Sequence, residues 1–356
     1  MGVIQKQTGA DRLSIGGALA ANAHGRVLTR KPFIGDVEAL TLINSSGELV
    51  RCSRDENSEL FRLVIGGYGL FGVIYSVTLR LTPRTKVERF VEVREMDTLP
   101  EAFDKRISEG FLYGDCQFAI DGKSDDFLKK GVFSCYRPVP NDTPIPSEHK
   151  HLSDDDWRDL LRLAHTDKTK AFDSYVEHYL RTDGQVYWSD THQMAFYQDD
   201  YHGVVDVKLE ADKSGSEMIT EVYCPRDQLP GFMAEVADDF RRNSVDVVYG
   251  TIRLIEKDDE SFLPWARTRY ACVIFNLHVE HTEEGIATAA ESFRRVIDIA
   301  ISRGGSYFLT YHKWARRDQV ASCYPQFAEF LELKRKYDPE GRFQSDWYRH
   351  HVKMFG

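Results

Sequence analysis

A chain of 356 residues is longer than the roughly 250–300 at which a single hydrophobic core stops growing, so two packed units are expected. Hydrophobic residues at 42% and charged residues at 29% exclude a disordered or fibrous chain and leave room for a sizeable core. A net charge of −10 argues against a nucleic-acid partner, which needs a basic face, and leaves a small-molecule ligand open.

The six cysteines (Cys52, Cys116, Cys135, Cys224, Cys272, Cys323) are scattered with no C-x-x-C pair, as expected of reduced, buried thiols rather than a disulfide frame or zinc site. No apolar run approaches the roughly 20 residues that span a bilayer. The first fourteen residues contain no signal-like apolar stretch, and the expectation is a cytoplasmic protein without a membrane span.

In chain order, the first informative segment is Ser14-Ile15-Gly16-Gly17-Ala18-Leu19-Ala20-Ala21-Asn22-Ala23-His24-Gly25-Arg26. Adjacent glycines followed by small residues let a backbone or a flat ligand approach closely, and exposed amides at such a turn can hold a phosphate. Tight packing of an Ala-rich helix on a sheet explains the same residues. Residues 36–43 alternate as a strand, Asn44-Ser45-Ser46-Gly47 supplies turn chemistry, and 48–52 reads as the second arm of a hairpin. Asn57 opens a helix whose buried face is Leu60, Phe61, Leu63 and Val64.

Gly67-Tyr68-Gly69-Leu70-Phe71-Gly72 then matches G-x-G-x-x-G, the nicotinamide fingerprint. That motif belongs between a strand and a helix, whereas a helix precedes it here and β-branched residues 73–81 predict a strand after it. Pro83 stops that strand, and Pro83-Arg84 is the expected domain boundary. Beyond it, strands are expected near 113–120, 131–136, 217–224, 246–255 and 270–278. Helices are expected near 154–165, 226–242, 285–303 and 323–337, with Ser153 as the N-cap of a solvated, charge-rich first one. The mixture predicts an α+β second domain.

Three groups of polar residues stand out in this second half. Tyr311-His312-Lys313, read as a strand, puts Tyr311 and Lys313 on one face and His312 on the other. Arg253 shares a strand face with Thr251; a strand-end ion pair with Glu256 or Asp258 explains it equally well. Glu221 and Tyr223 form a further pocket pair on the 218–224 strand. His278-Val279-Glu280-His281 lacks an obvious further ligand, and no metal is expected there.

Several of these segments recur, in order and spacing, in one family. Ser14-Ile15-Gly16-Gly17-Ala18, Asn22-Ala23-His24-Gly25, Asp36, Glu59-Leu60-Phe61 and the 66–74 glycine cluster resemble the second half of the FAD-binding domain of the vanillyl-alcohol-oxidase/p-cresol-methylhydroxylase (PCMH) superfamily. The aldonolactone oxidases and decaprenylphosphoryl-ribose oxidase are the nearest branches. The resemblance returns at Tyr307–Trp314, Lys334–Pro339 and Arg342–Asp346.

This resemblance implies an α+β flavoprotein with a PCMH-type FAD-binding part at 1–84, a substrate (cap) domain at 85–303, and a segment from 304 to 356 that returns to the FAD domain. It implies FAD contacts from Ser14, Ile15, Gly16, Gly17, Ala21, Asn22, Ala23, His24 and Ile74, with Gly9 a weaker candidate. His24 has the alternative of a hydrogen-bonded core histidine. Catalytic candidates are Lys313, Tyr311 and Arg253, Lys313 being preferred to Tyr311 for the lysine that the family places near the flavin. Related alditol oxidases carry a glutamate where Thr251 stands, which weakens a polyol substrate. The front of the family's FAD domain is not seen before Gly9, so a truncated flavin cradle is expected. The implied reaction is oxidation of a C–OH group in a sugar-like or lactone substrate; the alternative is a non-catalytic remnant or interaction module that does not retain FAD.

Overall fold

The computed structural model describes residues 1–5, 13–148, 150–190, 203, 206–207 and 212–356. After a two-residue strand β1 (Gly2–Val3) comes the short helix α1 (Ile15–Ala20), capped by Ser14, whose hydroxyl accepts from the Gly17 amide. The predicted hairpin forms as β2 (Val37–Ile43) and β3 (Leu49–Ser53). Its turn is closed by Asn44, whose Oδ1 accepts the amides of Ser46 and Glu48. This is the side-chain mimicry of a backbone turn for which asparagine is selected. Helix α2 (Ser58–Val64) follows and buries Leu60, Phe61, Leu63 and Val64. Asn57 precedes it without capping it; its amide instead donates to the Arg51 carbonyl.

The glycine cluster turns this helix directly into strand β4 (Val73–Leu79), and β3-β2-β4 is a three-stranded antiparallel sheet. Gly66, Tyr68 and Gly69 all have positive φ. At Gly67 a Cβ would lie 1.9 Å from the Leu63 carbonyl oxygen, so only glycine fits. A strand therefore follows the motif, and the nicotinamide reading falls on that order.

A short strand β5 (Leu81–Thr82) leads into a second sheet. Its strands and the helices between them are β6 (Lys86–Glu95), α3 (Leu99–Ser108), β7 (Tyr113–Phe118), β8 (Lys130–Val139), α4 (Asp154–Thr166), α5 (Lys168–Arg181) and β9 (Val186–Trp188). They continue as β10 (Gly215–Pro225), α6 (Leu229–Arg242), β11 (Val247–Ile255), β12 (Tyr270–Glu280), α7 (Glu283–Ser302) and β13 (Ser306–Tyr307). The order across the sheet is β13-β10-β12-β11-β7-β8-β6-β9, every neighbouring pair antiparallel. The chain ends in α8 (Arg317–Cys323), α9 (Phe327–Tyr337) and α10 (Asp346–Phe355). The architecture is α+β, as expected.

The sheet's two faces differ in chemistry. One carries Val222, Val273, Phe275, Ile252, Cys116 and Phe133, all buried. Phe240 of α6 packs on Phe275 and Phe103 of α3 packs on Phe133, with ring centroids 5.3 and 4.8 Å apart. The other face carries Glu221, Tyr223, Tyr249, Thr251, Arg253, Asp115 and Gln117, and the segment 22–28 runs across part of it. The two sets alternate along each strand, as the two-residue period demands.

One expectation needs correction. Residues 311–313 are not a strand: β13 stops at Tyr307 and a turn occupies 309–311. The helix expected near 323–337 forms as α9; it starts at Phe327 because Pro325 removes an amide donor and holds Tyr324 out of the helical region, at φ −132° and ψ 74°, which separates it from α8. The C-terminal helices pack on the 45–72 region: Trp347 stacks on Tyr68 at 4.4 Å, and Lys336 and the Tyr337 hydroxyl both reach Glu59. All six cysteines are buried and unbridged.

Candidate active site

The polar sheet face meets the segment after α1 in a seam of buried charge. His24 Nε2 lies 2.5 Å from Glu221 Oε1, while its Nδ1 faces the Gly25 carbonyl oxygen at 3.1 Å, so each ring nitrogen meets an acceptor. Two residues on, Arg26 donates to Asp115 Oδ1 at 2.9 Å, and the second oxygen of Asp115 accepts from the Thr251 hydroxyl at 3.2 Å. Histidine and arginine two apart on an extended segment point the same way, onto alternate residues of β10 and of β7.

Arg253 completes the seam. It is 9% exposed, its charge acts on Glu221 and Tyr311, and its buried Nε has no hydrogen-bond partner among the described residues. Burial would raise the Glu221 carboxyl, but the charge and hydrogen bond of His24, with Arg253 behind them, hold it below the usual range. Tyr311 shows 37% of its surface to solvent, yet its hydroxyl end is turned inward towards Glu221; that burial and the carboxylate push its ionisation up, leaving a neutral donor. Tyr223 stacks on Trp265 at 4.6 Å, and the Trp265 indole donates to the Asn22 carbonyl. At rest the seam holds an anionic carboxylate, a cationic guanidinium short of acceptors, and a protonated phenol. Such a set can bind and orient an oxygen-bearing substrate and shift a proton between neighbouring oxygens.

Of the predicted catalytic residues, Arg253 and Tyr311 meet here, joined by Glu221 and Tyr223. Lys313 does not join them: it is exposed beside Asp346 and His350 of α10. The turn at 309–311 directs Tyr311 to the seam and His312 to the apolar side, where it stacks on Phe293.

The predicted cofactor residues fall into two sets. Ser14, Ile15, Gly16 and Gly17 form the largely exposed start of α1, and a Cβ at Gly16 would meet nothing within 4 Å. Ala21, Asn22, Ala23 and His24 descend into the interior. The Asn22 side chain is fully engaged there, donating to Asp258 and accepting the Ile34 amide. Ile74 is half-buried on β4 and packs on the core, and Gly9 lies outside the described residues. The backbone at Gly16 is therefore open, whereas Asn22 and His24 already have partners inside the fold.

Asp115 and Arg26 were missed from sequence. The signal was a charge inside each of two segments that otherwise fit the interior: Asp115 in Tyr113–Phe118, and Arg26 after an Ala-rich run. A separate cleft of about 470 Å³ at Arg30, Lys31, Arg80 and Lys257 offers no single-sign surface, since Glu256, Asp259 and Glu260 line it too.

Comparison with known proteins finds likeness over parts of the chain. Residues 188–351 match the family described as D-arabinono-1,4-lactone oxidase. Cytokinin dehydrogenase 10 of Oryza sativa subsp. japonica is 35% identical over 97 residues, covering 27% of this chain and 18% of that protein. Cytokinin dehydrogenase 5 of Arabidopsis thaliana is 37% identical over 82 residues (23% and 15%). The D-arabinono-1,4-lactone oxidase of Debaryomyces hansenii is 31% identical over 91 residues (26% and 16%). The chain matches about a sixth of the length of these relatives. Among the described residues, no helix is long and apolar enough to cross a membrane.

Proposed function

We propose that this chain belongs to an FAD-dependent oxidoreductase that oxidises a C–OH group of a sugar-like or lactone substrate. The observation that carries the reading is the buried seam of His24, Glu221, Arg253 and Tyr311, with an arginine whose buried Nε has no partner among the described residues. Bound FAD would supply the hydride acceptor, held along Ser14–Gly17 and near His24 and Ile74. Arg253 would hold a substrate oxygen, Tyr311 would donate a hydrogen bond from its inward-turned hydroxyl, and Glu221 would fix the position of both His24 and Arg253. Arg253, whose buried Nε lacks a partner among the described residues, favours an oxygen-bearing substrate over an apolar one, because a buried polar group left unpaired costs roughly 1–3 kcal/mol.

Residues 1–84 are read as the flavin-binding part, 85–303 as the substrate part, and 304–356 as a return to the flavin side; the stacking of Trp347 on Tyr68 supports that return. The test is the visible spectrum of the purified chain before and after adding FAD. A flavin band that stays with the protein through gel filtration is expected. A folded chain that retains none would overturn the reading and leave the non-catalytic alternative.

A further inference from the structure

About four residues before Glu221 on the same face of β10 lies a second cluster that the proposed oxidation does not use. Glu217 stands opposite His278 in the antiparallel register of β10 and β12, and His165, in the last turn of α4, reaches the same carboxylate from above. His278 Nδ1 is 3.1 Å and His165 Nε2 is 3.3 Å from Glu217 Oε1. One ligand atom from each of the three residues falls within 4.8 Å of the others.

The two distances to Glu217 are compatible with a shared ion. Two ligands at about 2.0 Å from one ion, at tetrahedral angles, lie about 3.3 Å apart. The backbone is shaped around the imidazole as well: a Cβ on Gly215 would lie 2.2 Å from His278 Cε1, so a glycine is needed for the ring to lie where it does. The side chains of Glu217 and His165 are 5% and 7% exposed, whereas that of His278 is 24% exposed and opens the cluster to solvent.

We propose that His165, Glu217 and His278 bind one divalent transition-metal ion of the zinc type. Two imidazoles and a carboxylate select zinc, cobalt, nickel or copper over magnesium and calcium, which prefer all-oxygen shells.

The experiment is titration of the metal-stripped full chain with zinc by calorimetry and with cobalt by its visible absorption. One ion per chain is expected, with a cobalt spectrum of four-coordinate intensity. His165→Ala and His278→Ala should each lower zinc affinity by about 100-fold or more. Cys272→Ser, which alters the buried His24–Glu221–Cys272 group, should leave it unchanged. Absence of binding, binding unaffected by His278→Ala, or binding abolished by Cys272→Ser would each overturn the proposal. Should the histidine variants not fold, X-ray absorption of the zinc-loaded parent decides: a shell of two imidazoles without sulfur supports the site, and a sulfur neighbour refutes it.

Discussion

Acidification should destabilise this protein through His312, whose ring is set up to stay neutral. The Trp314 amide donates to Nδ1 at 3.4 Å, so the ring hydrogen sits on Nε2, facing the Thr220 hydroxyl at 3.2 Å. Phe293 stacks on the ring at 4.7 Å with planes 4° apart. A second proton would occupy Nδ1, break the bond from Trp314 and place a charge among aromatic rings, and burial lowers the pKa from 6.5 to about 4. Because the folded-state pKa is depressed, the unfolded chain binds the proton more tightly. The stabilisation is therefore complete above pH 6.5, lost as pH falls from 6.5 to about 4, and flat below. At about 1.4 kcal/mol per pH unit, roughly 2 kcal/mol should vanish between pH 7 and pH 5. Urea unfolding of the parent and of His312→Gln at both pH values isolates this group, since other histidines cancel in the difference. The stability gap between parent and variant should narrow by about 2 kcal/mol at pH 5. A gap constant to within about 0.5 kcal/mol would refute the argument.

Other consequences follow from the seam and the glycine turn. Asp115→Ala leaves Arg26 buried without its counter-ion and should cost about 3–5 kcal/mol in denaturant unfolding, with part recovered in the double variant with Arg26→Met. A loss under about 1 kcal/mol would show that the pair is not confined as described. Gly67→Ala must displace the Leu63 carbonyl and should lower stability by about 2–3 kcal/mol, whereas Gly69→Ala, at φ +72° with open space around it, should cost about 1 kcal/mol. Equal losses at the two positions would contradict the helix-to-strand turn. In a flavin-loaded enzyme, Arg253→Met should reduce kcat/KM for a lactone or sugar-like substrate by about 10–100-fold while the flavin spectrum is retained. Unchanged turnover would remove Arg253 from the site.

Legibility from sequence followed the range of the interactions involved. The 36–53 hairpin is written in neighbouring residues: apolar alternation in its arms and an Asn-Ser-Ser-Gly turn whose Asn44 closes it. Strands 217–224, 246–255 and 270–278 and the helix near 285–303 were legible for the same reason. Tyr311 and Arg253 were legible as chemistry, without their surroundings. The seam itself depends on contacts between residues far apart in the chain. Arg26 meets Asp115, 89 positions away, and His24 meets Glu221, 197 away, only because β10, β12, β11 and β7 adopt one register. The same register sets His278 against Glu217, and the packing of α4 brings His165 to them, where sequence alone showed His278 without a third ligand. Lys313 shows the converse: the motif was present, but a turn at 309–311 in place of a strand left it facing α10. Local propensity thus determined the elements and their polar residues. Strand register and helix packing, which side-chain period and composition do not encode, decided which of those residues share a site.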